Sequence, residues 1–537
     1  LSEPVPEWLP GMDITAARLN GMRQSAWLMV TNYGADSSGT VDAHEGIQMA
    51  LDYARDVGGA QVLVPPGVYL IGATLRIYGN TRLTLMAGAE FRRNVAGTMI
   101  INGDTGQDYG GYTGHSGIVI EGGLWNMRGT TSGLTASAMC ISIGHATDIL
   151  IQDLEVRDLP GYHAIELNST SHGTVQNCKF RGYVDPGSRD FSEAIQLDLA
   201  KSSAVFGGFG PYDHTPCEDI LISGCHFGAS GTSGTTAWPR GIGSHSATIG
   251  RWHRRIRISD NSFEGILQYA VSAYNYEDLT VTGNCFVSCG SGVRIRTVIA
   301  SDAEDTKDVD GNSTGGSQNM RNITVTGNSF RDGQGYSAPI IALGETTGTI
   351  FNLAITGNVI DGSTTAQNGV RLQYVSRATV GDNSINNIAA TAISTEDCNT
   401  FTAVGNNIYN PGTHGITVVD DTNVVVSDNQ IREPGNHGIL VQGGDFIQLR
   451  GNFIRSPGRA ANNTHYGIRV STATNSINLS GNKVRPHGSG NEAMYAFSAT
   501  NTVTTLSRYG NDWLGTYGTG RVDDNSVTPS TSATDLS

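Results

Sequence analysis

No stretch of this 537-residue sequence is apolar for the roughly 20 positions that a membrane helix needs, so no bilayer crossing is expected. Charge is also scarce. Lys, Arg, Asp and Glu make up 15% of the chain, and their balance is −15. An acidic surface repels phosphate backbones, so nucleic acid is not an expected partner. The seven cysteines (Cys140, Cys178, Cys217, Cys225, Cys285, Cys289 and Cys398) are odd in number and irregular in spacing. That argues against a disulfide framework and for buried free thiols. Cys285 and Cys289 lack the second pair that a zinc site would need. Leu1 to Trp8 show neither a basic n-region nor an apolar h-region, so no signal peptide is expected there. What the chain has in quantity is glycine, 70 residues, with much Asn, Ser and Thr. That profile fits many short strands and tight turns rather than helical bundles.

One five-residue pattern recurs: small residue, aliphatic, any residue, aliphatic, any residue. It reads Ala164-Ile165-Glu166-Leu167-Asn168, Ala194-Ile195-Gln196-Leu197-Asp198 and Gly241-Ile242-Gly243-Ser244-His245. It continues as Ala270-Val271-Ser272-Ala273-Tyr274 and Gly292-Val293-Arg294-Ile295-Arg296. Residues two apart on a strand share a face, so the aliphatics can all point inward. The variable positions then form two outward columns: Glu166, Gln196, Gly243, Ser272, Arg294 and Asn168, Asp198, His245, Tyr274, Arg296. These predict one exposed, chemically rich surface.

A second track ends each time in an Asn turn, as in Ile256-Arg257-Ile258-Ser259-Asp260-Asn261-Ser262-Phe263 and at Asn284 and Asn328. Weaker copies carry Asn358, Asn383, Asn406, Asn429, Asn452 and Asn482. Several of these are 23 residues apart, the period of one coil of a parallel β-helix. Stacked Asn side chains can bond along the stack, and Asn tolerates the left-handed backbone of a corner. The predicted fold is all-β: a right-handed parallel β-helix of about 23-residue coils over residues 81–500. Breaks in the period place inserted loops at 199–219, 228–240 and 297–320, where binding and chemistry usually sit. Residues 501–537 read as a tail of low apolar content.

Ahead of the coils, Ala43 to Val57 is the one clear amphipathic stretch, with Ile47, Ala50, Leu51 and Ala54 on one side. With Tyr33-Gly34-Ala35-Asp36 before it and Gly58-Gly59-Ala60-Gln61-Val62-Leu63-Val64-Pro65-Pro66-Gly67-Val68-Tyr69 after it, it forms a run within the entry segment 31–80 that resembles the opening of the pectate-lyase-like right-handed β-helix family. The resemblance implies a capping helix over the open end of the stack. Residues 1–30 form a separate arm broken by Pro4, Pro6 and Pro10, with Asp13 capping a short helix and Trp8 and Trp27 awaiting a partner surface.

Ser192-Glu193-Ala194-Ile195-Gln196-Leu197-Asp198, Tyr212-Asp213-His214-Thr215-Pro216-Cys217 and Pro239-Arg240-Gly241-Ile242-Gly243-Ser244-His245 resemble segments of phage and prophage tail β-helix proteins that degrade glycopolymers. Met12-Asp13-Ile14-Thr15-Ala16-Ala17-Arg18-Leu19-Asn20 resembles the start of tail-fibre and minor tail proteins. The resemblance implies a homotrimer on a virion tail, attached through residues 1–30, acting outside the cell on a bacterial surface polysaccharide or teichoic acid. The residues themselves supply acids and an imidazole. Asp198 and His245 fall in one column, and a carboxylate orients and charges an imidazole. Glu193 and Asp213 offer further carboxylates, as glycoside hydrolysis requires. The expected catalytic set is Glu193, Asp198, Asp213, His214 and His245. The expected substrate contacts are Glu166, Arg240, Tyr274, Arg294 and Arg296, with Trp252 as a stacking face. Hydrolysis is the leading reading. A uronate lyase or epimerase, a teichoic-acid phosphodiesterase and a non-catalytic receptor-binding spike stay open beside it. No cofactor is assigned. Calcium is the only candidate metal, at Asp308-Val309-Asp310-Gly311-Asn312, which lacks a distal Glu at the right spacing.

Overall fold

The alternation of aliphatic and polar residues is realised as short parallel strands, wound in coils. The structure is a computed structural model. It describes residues 27–203, 210–363, 365–488, 490–500, 502–524, 527, 530–533, 535 and 536. Most of the expected arm, with Trp8 and Asp13, lies outside the described residues. Its end does not stand apart from the coils: Leu28 and Met29 pair with Val62 and Leu63. Trp27 is exposed and Leu28 buried.

Helix α1 (His44–Asp56) buries Gly46, Ile47, Ala50, Leu51 and Ala54, the stripe that its period dictates. The amide of Gln48 donates to the Arg76 carbonyl, and its oxygen accepts the Arg76 N–H, at 3.1 and 2.8 Å. These bonds seat the helix on the strand Leu75–Ile77. Only glycine fits at position 46, where a Cβ would lie 2.2 Å from the Ala35 nitrogen.

Two compact units divide the chain after Ala237. In the first, three parallel sheets line the coil. Ile141–Gln152 and Ile165–Gln176 each run through sheet one and then sheet two, paired along most of their length. They bend at His145 and Asp148, and at Ser169 and His172, all with positive φ. Sheet three carries Glu155–Pro160 beside Lys179–Val184. The register on sheet one sets Ile165 against Ile195 and Leu167 against Leu197, facing the core, with Glu166 against Gln196 and Asn168 against Asp198 on the other face. The inward aliphatics are fully buried, which stabilises by about 1.5–3 kcal/mol for each side chain of this size.

The second unit repeats the plan. Val271 meets Val293, and Ser272 meets Arg294, in the register read from the pattern. Inside, the rings of Phe263, Phe286 and Phe330 stack at 5.0 and 4.5 Å. At the corner after sheet two, the Asn261 side-chain amide donates to Asn284, Asn284 to Asn328, and Asn328 to Asn358, each at 3.0 Å. The chain of bonds continues through Asn383, Asn406, Asn429, Asn452 and Asn482 to Asn511, and ends on the carboxylate of Asp535. The left-handed backbone falls one residue earlier than expected. Asp260, Gly283, Gly327, Gly357, Asp382, Gly405, Asp428, Gly451, Gly481 and Gly510 carry the positive φ, and the ladder asparagines do not. Described stretches of the expected C-terminal tail are instead built into the coil. Thr505–Tyr509 pairs with the strand Ser476–Ser480, and Gly520–Asp523 with Tyr495–Ala499. Asn511 and Asp535 extend the ladder there, which a low apolar content had hidden. A second column, of histidines, precedes sheet one in three coils: His414 and His437 lie 4.9 Å apart and His437 and His465 5.3 Å apart. All seven cysteines are free, and six are buried as expected; Cys285 is exposed.

Candidate functional site

In the first unit, the outward face of sheet one gathers Ser142, Glu166 and Gln196 in one column and Gly144, Asn168 and Asp198 in the next. The Ser142 hydroxyl donates to Glu166 Oε2 at 2.6 Å. The Gln196 amide donates to Asp198 Oδ2 at 2.7 Å, and the Leu199 N–H donates to Oδ1 at 2.8 Å. Glu166 and Asp198 are one rung and two residues apart, a diagonal of about 8 Å between their backbone positions. The Asn168 amide nitrogen is buried with no acceptor among the described residues.

This face is not the open surface that the pattern predicted. Glu166 is 1% exposed, and Asn168 and Asp198 are 0% exposed. The reason is long-range. Past Asp198 the chain turns back over the sheet: Ala200 packs on Ile101, its N–H donates to the Ser169 hydroxyl, and that hydroxyl reaches the Thr215 carbonyl. The loop before the strand at Ile118 closes from the other side. There the Tyr112 hydroxyl donates to the Pro216 carbonyl at 2.9 Å, and the two ring nitrogens of His145 stand 2.8 Å from the carbonyls of Gly111 and Pro211.

Asp213 sits in this covering segment, and its carboxylate holds the cover together. It accepts the Gly111 N–H at 2.7 Å and the Thr215 N–H at 3.0 Å. Burial by itself pushes its pKa up, but those donors and the nearby His145 outweigh burial and hold the carboxyl below its ordinary range. That is the opposite of what a general acid needs. His214 has a left-handed backbone, and its N–H donates to the Ala200 carbonyl at 2.9 Å. Glu193 departs further from expectation. It shares parity with the inward Ile195 and Leu197, and it is fully buried with its Oε2 3.9 Å from His163 Nδ1. It belongs to the interior of the corner, not to the outward columns.

In the second unit the strand Arg240–Gly243 ends two residues before His245, while Ser244 still bonds to the Ser272 and Tyr274 carbonyls. Asp198 and His245 fall in different units. Tyr274 is buried, and its hydroxyl donates to Asp305 Oδ2 at 2.9 Å while accepting the Ile299 N–H. Burial, then Asp305, pushes its phenol well above the usual range. The acidic insertion therefore engages Tyr274. Arg296 is taken up by Glu345 and by the Leu343 and Gly344 carbonyls. Asp308 turns its Oδ1 onto the N–H groups of Asp310 and Asn312. The Trp252 indole donates to the Asn319 carbonyl and carries the Arg254 guanidinium 5.2 Å from its ring.

Arg240, Tyr269 and Arg294, all half-buried, form a cation–aromatic patch. The Arg294 guanidinium lies 4.9 Å from the centre of the Tyr269 ring, and that of Arg240 lies 5.9 Å from it. Tyr336, half exposed, meets Tyr269 edge-on at 5.1 Å. Arg240 Nε also donates to Gln268 Oε1. Tyr269 and Tyr336 were missed in the sequence. Tyr269 directly precedes the small residue of its five-residue repeat, and that preceding position was a usable signal.

Two family matches fit this architecture. Residues 27–294 match the rhamnogalacturonase A/epimerase, pectate-lyase-like family, and residues 255–484 match the right-handed beta helix region. The chain is a pectate-lyase-like right-handed β-helix. Among curated relatives, the plasmin and fibronectin-binding protein A of Streptococcus pneumoniae is 26% identical over 281 residues, which is 48% of this β-helix chain and 39% of that protein. The β-helix thus matches about two fifths of that relative's length. The solved structure of the S. pneumoniae surface protein and adhesin PfbA is 21% identical, with a TM-score of 0.61 over 73% of this chain and 100% of that one. The tailspike of E. coli bacteriophage HK620, solved with a pentasaccharide, is 12% identical, with a TM-score of 0.52 over 96% of this chain and 81% of that one. At these identities the likeness is one of fold. No helix among the described residues is long and apolar enough to cross a membrane.

Proposed function

We propose that this β-helix works outside the cell and holds an acidic glycopolymer of a bacterial surface against its second unit. The observation that carries the reading is the convergence of two guanidiniums, Arg240 and Arg294, on one tyrosine ring. A guanidinium fork fits a sugar carboxylate or phosphate, and the faces of Tyr269 and Tyr336 fit the apolar side of a sugar ring. The adhesin and tailspike relatives suit this surface role. Binding of an acidic wall polymer, measured by calorimetry, should fall at least tenfold in Arg294→Ala and in Tyr269→Ala. Unchanged binding in both would sink the reading.

A second reading, hydrolysis of the bound polymer, rests on Glu166 and Asp198. Their backbone positions stand about 8 Å apart on the diagonal, which leaves room for a water between two carboxyl groups, as an inverting pair requires. Asp198 accepts two N–H donors, the surroundings of an ionised base that activates water. Glu166, which accepts the Ser142 hydroxyl, is then the acid that protonates the leaving oxygen. The unfilled amide of Asn168 would hold a sugar hydroxyl beside them. The polymer must reach beneath the segment that follows Asp198. New reducing ends from purified wall polymer, lost in Asp198→Asn, support hydrolysis. An unsaturated product marks a lyase, and a phosphate monoester a phosphodiesterase. No product with undiminished binding marks a receptor-binding spike. Assembly as a homotrimer on a virion tail through residues 1–30 belongs to this proposal, and a monomeric mass in light scattering would count against it.

A further inference from the structure

The first unit carries a second, unassigned charge anomaly, on sheet three. The strand Arg82–Arg93 ends in two arginines, and residues 124–126 pair beside it with Glu90 opposite Leu124 and Arg92 opposite Asn126. A shallow cleft of about 410 Å³ opens here, lined by Gly39, Leu70, Arg92, Asn94, Asn126 and Arg128. Its charges do not balance. Glu90 is the one carboxylate in contact with this group among the described residues. It is taken up by Arg92, whose Nε and Nη2 donate to its two oxygens at 2.8 and 2.9 Å, and by the Asn126 amide at 3.0 Å.

Arg128 has no such partner. Its Nη1 donates only to the Arg93 carbonyl and to Asn94 Oδ1, both at 3.3 Å. Its backbone is left-handed, with φ of 51°, and its N–H is held by Asn126 Oδ1 at 3.1 Å. A non-glycine residue held there is strained, and such strain persists only where the surroundings impose it. Behind the cleft, Arg93 is wholly buried. It donates through Nε to the Met127 carbonyl and through Nη2 to the Leu134 carbonyl, while its Nη1 finds no acceptor. Burial, and the charge of Arg128, pull the Arg93 guanidinium down to about 10. Arg92 and Arg128 thus line the cleft with Arg93 buried behind them, and only Arg92 is paired with a carboxylate, in a chain whose overall balance is −15. Concentrating like charge in a half-enclosed site costs free energy that an oxyanion would recover. Arg93 further fixes the 127–134 loop, which holds Arg128 in place.

We infer that the Arg92–Asn126–Arg128 cleft is an anion-binding subsite for a carboxylated or sulfated sugar, separate from the Arg240–Tyr269–Arg294 patch. Arg128 Nε and Nη2, which the contacts of Nη1 leave over, supply the donor edge, and the Asn94 amide serves a neighbouring hydroxyl. The cleft is polar and of the size that holds a small ligand, about 300–1,000 Å³.

The test uses the full chain and three probes: a glucuronate oligosaccharide, a sulfated oligosaccharide, and a neutral oligosaccharide of the same length. Titration followed by calorimetry, with amide chemical shifts or hydrogen exchange over residues 88–95 and 124–134, reads occupancy of this cleft. One or both anionic probes should protect those segments, and the neutral probe should not. Which of the two binds more tightly identifies the oxyanion. Arg128→Gln should weaken that protection at least tenfold with an unchanged melting temperature, and Arg128→Lys should restore part of it. Arg294→Ala should leave it untouched, which separates failure here from failure of the glycan patch in the second unit. Protection by the neutral probe to the same degree, undiminished protection in Arg128→Gln, or no protection by either anion would each overturn the inference.

Discussion

The asparagine ladder makes the sharpest claim about what stabilises the coils, and Asn406→Ala tests it. Asn406 is fully buried. Its Oδ1 accepts both the backbone N–H and the side-chain amide of Asn383, at 3.1 and 3.0 Å. Its own amide donates to the Val380 carbonyl and to Asn429 Oδ1, each at 2.9 Å. Truncation to alanine therefore strands two donors on one neighbour and one carbonyl on another, with no solvent to replace the lost partners. A stranded buried donor costs about 1–3 kcal/mol, so the two donors and the small cavity should together cost about 3–5 kcal/mol. The first unit offers a graded control. Cys178 and Cys225 stand at the corresponding corner, with thiols directed at the Ile151 and Val175 carbonyls. Asn406→Cys keeps a weak donor and loses the acceptor, and should fall between wild type and alanine. Because coils of a repeat can open locally, the assay is hydrogen exchange of residues 375–432, read as opening free energies, alongside thermal unfolding. A loss below about 1 kcal/mol in Asn406→Ala would refute the reasoning, since it would mean that the ladder fills space and little else.

Three further expectations follow from the same contacts. Leu197→Asp puts an unpaired charge at a fully buried inward position opposite Leu167, at a cost of several kcal/mol, and should abolish soluble expression; normal folding would mean the register is wrong. Burial holds His253 and His437 at about 3 and His414 at about 4, so the folded imidazoles stay neutral while the unfolded chain takes up protons below about 6.5. Their contribution is complete above pH 6.5 and is lost as the pH falls, at about 1.4 kcal/mol per unit for each. Asp421, pushed up to about 7 chiefly by burial, works in the opposite sense over the same range, so the net loss should be roughly 2 kcal/mol per unit between about pH 6.5 and 4. Chemical denaturation at pH 7, 5.5 and 4.5 checks it, and a flat profile would refute it. His437→Gln, which keeps an acceptor for the Tyr466 N–H, should flatten the slope. If hydrolysis is the reaction, Glu166→Gln and Asp198→Asn should each lower product release by orders of magnitude, while Asp213→Asn should act mainly through the stability of the 211–216 segment.

Much of this was open to view in the sequence because it is periodic. The inward aliphatics, the coil length, the helix over the first coil and the bonded asparagines are all consequences of a two-residue alternation inside a 23-residue repeat, and a repeat announces itself in one dimension. Periodicity says which face a side chain takes but not what lies over that face. The burial of Glu166 and Asp198 comes from residues 199–203 and 210–216 folding back, and the role of Asp213 comes from a bond to Gly111, about a hundred positions away. Glu193 was misassigned because it sits just before the repeat, where its inward parity becomes visible only once its strand is paired. Tyr269 and Tyr336 needed a neighbouring coil to become one surface, and Arg93 and Arg128, 35 residues apart, needed one to bring their charges together. The alternation of residues determined the scaffold. The tertiary contacts decided which of its polar side chains meet solvent, because burial depends on the loops that cross a face, and those loops follow no period.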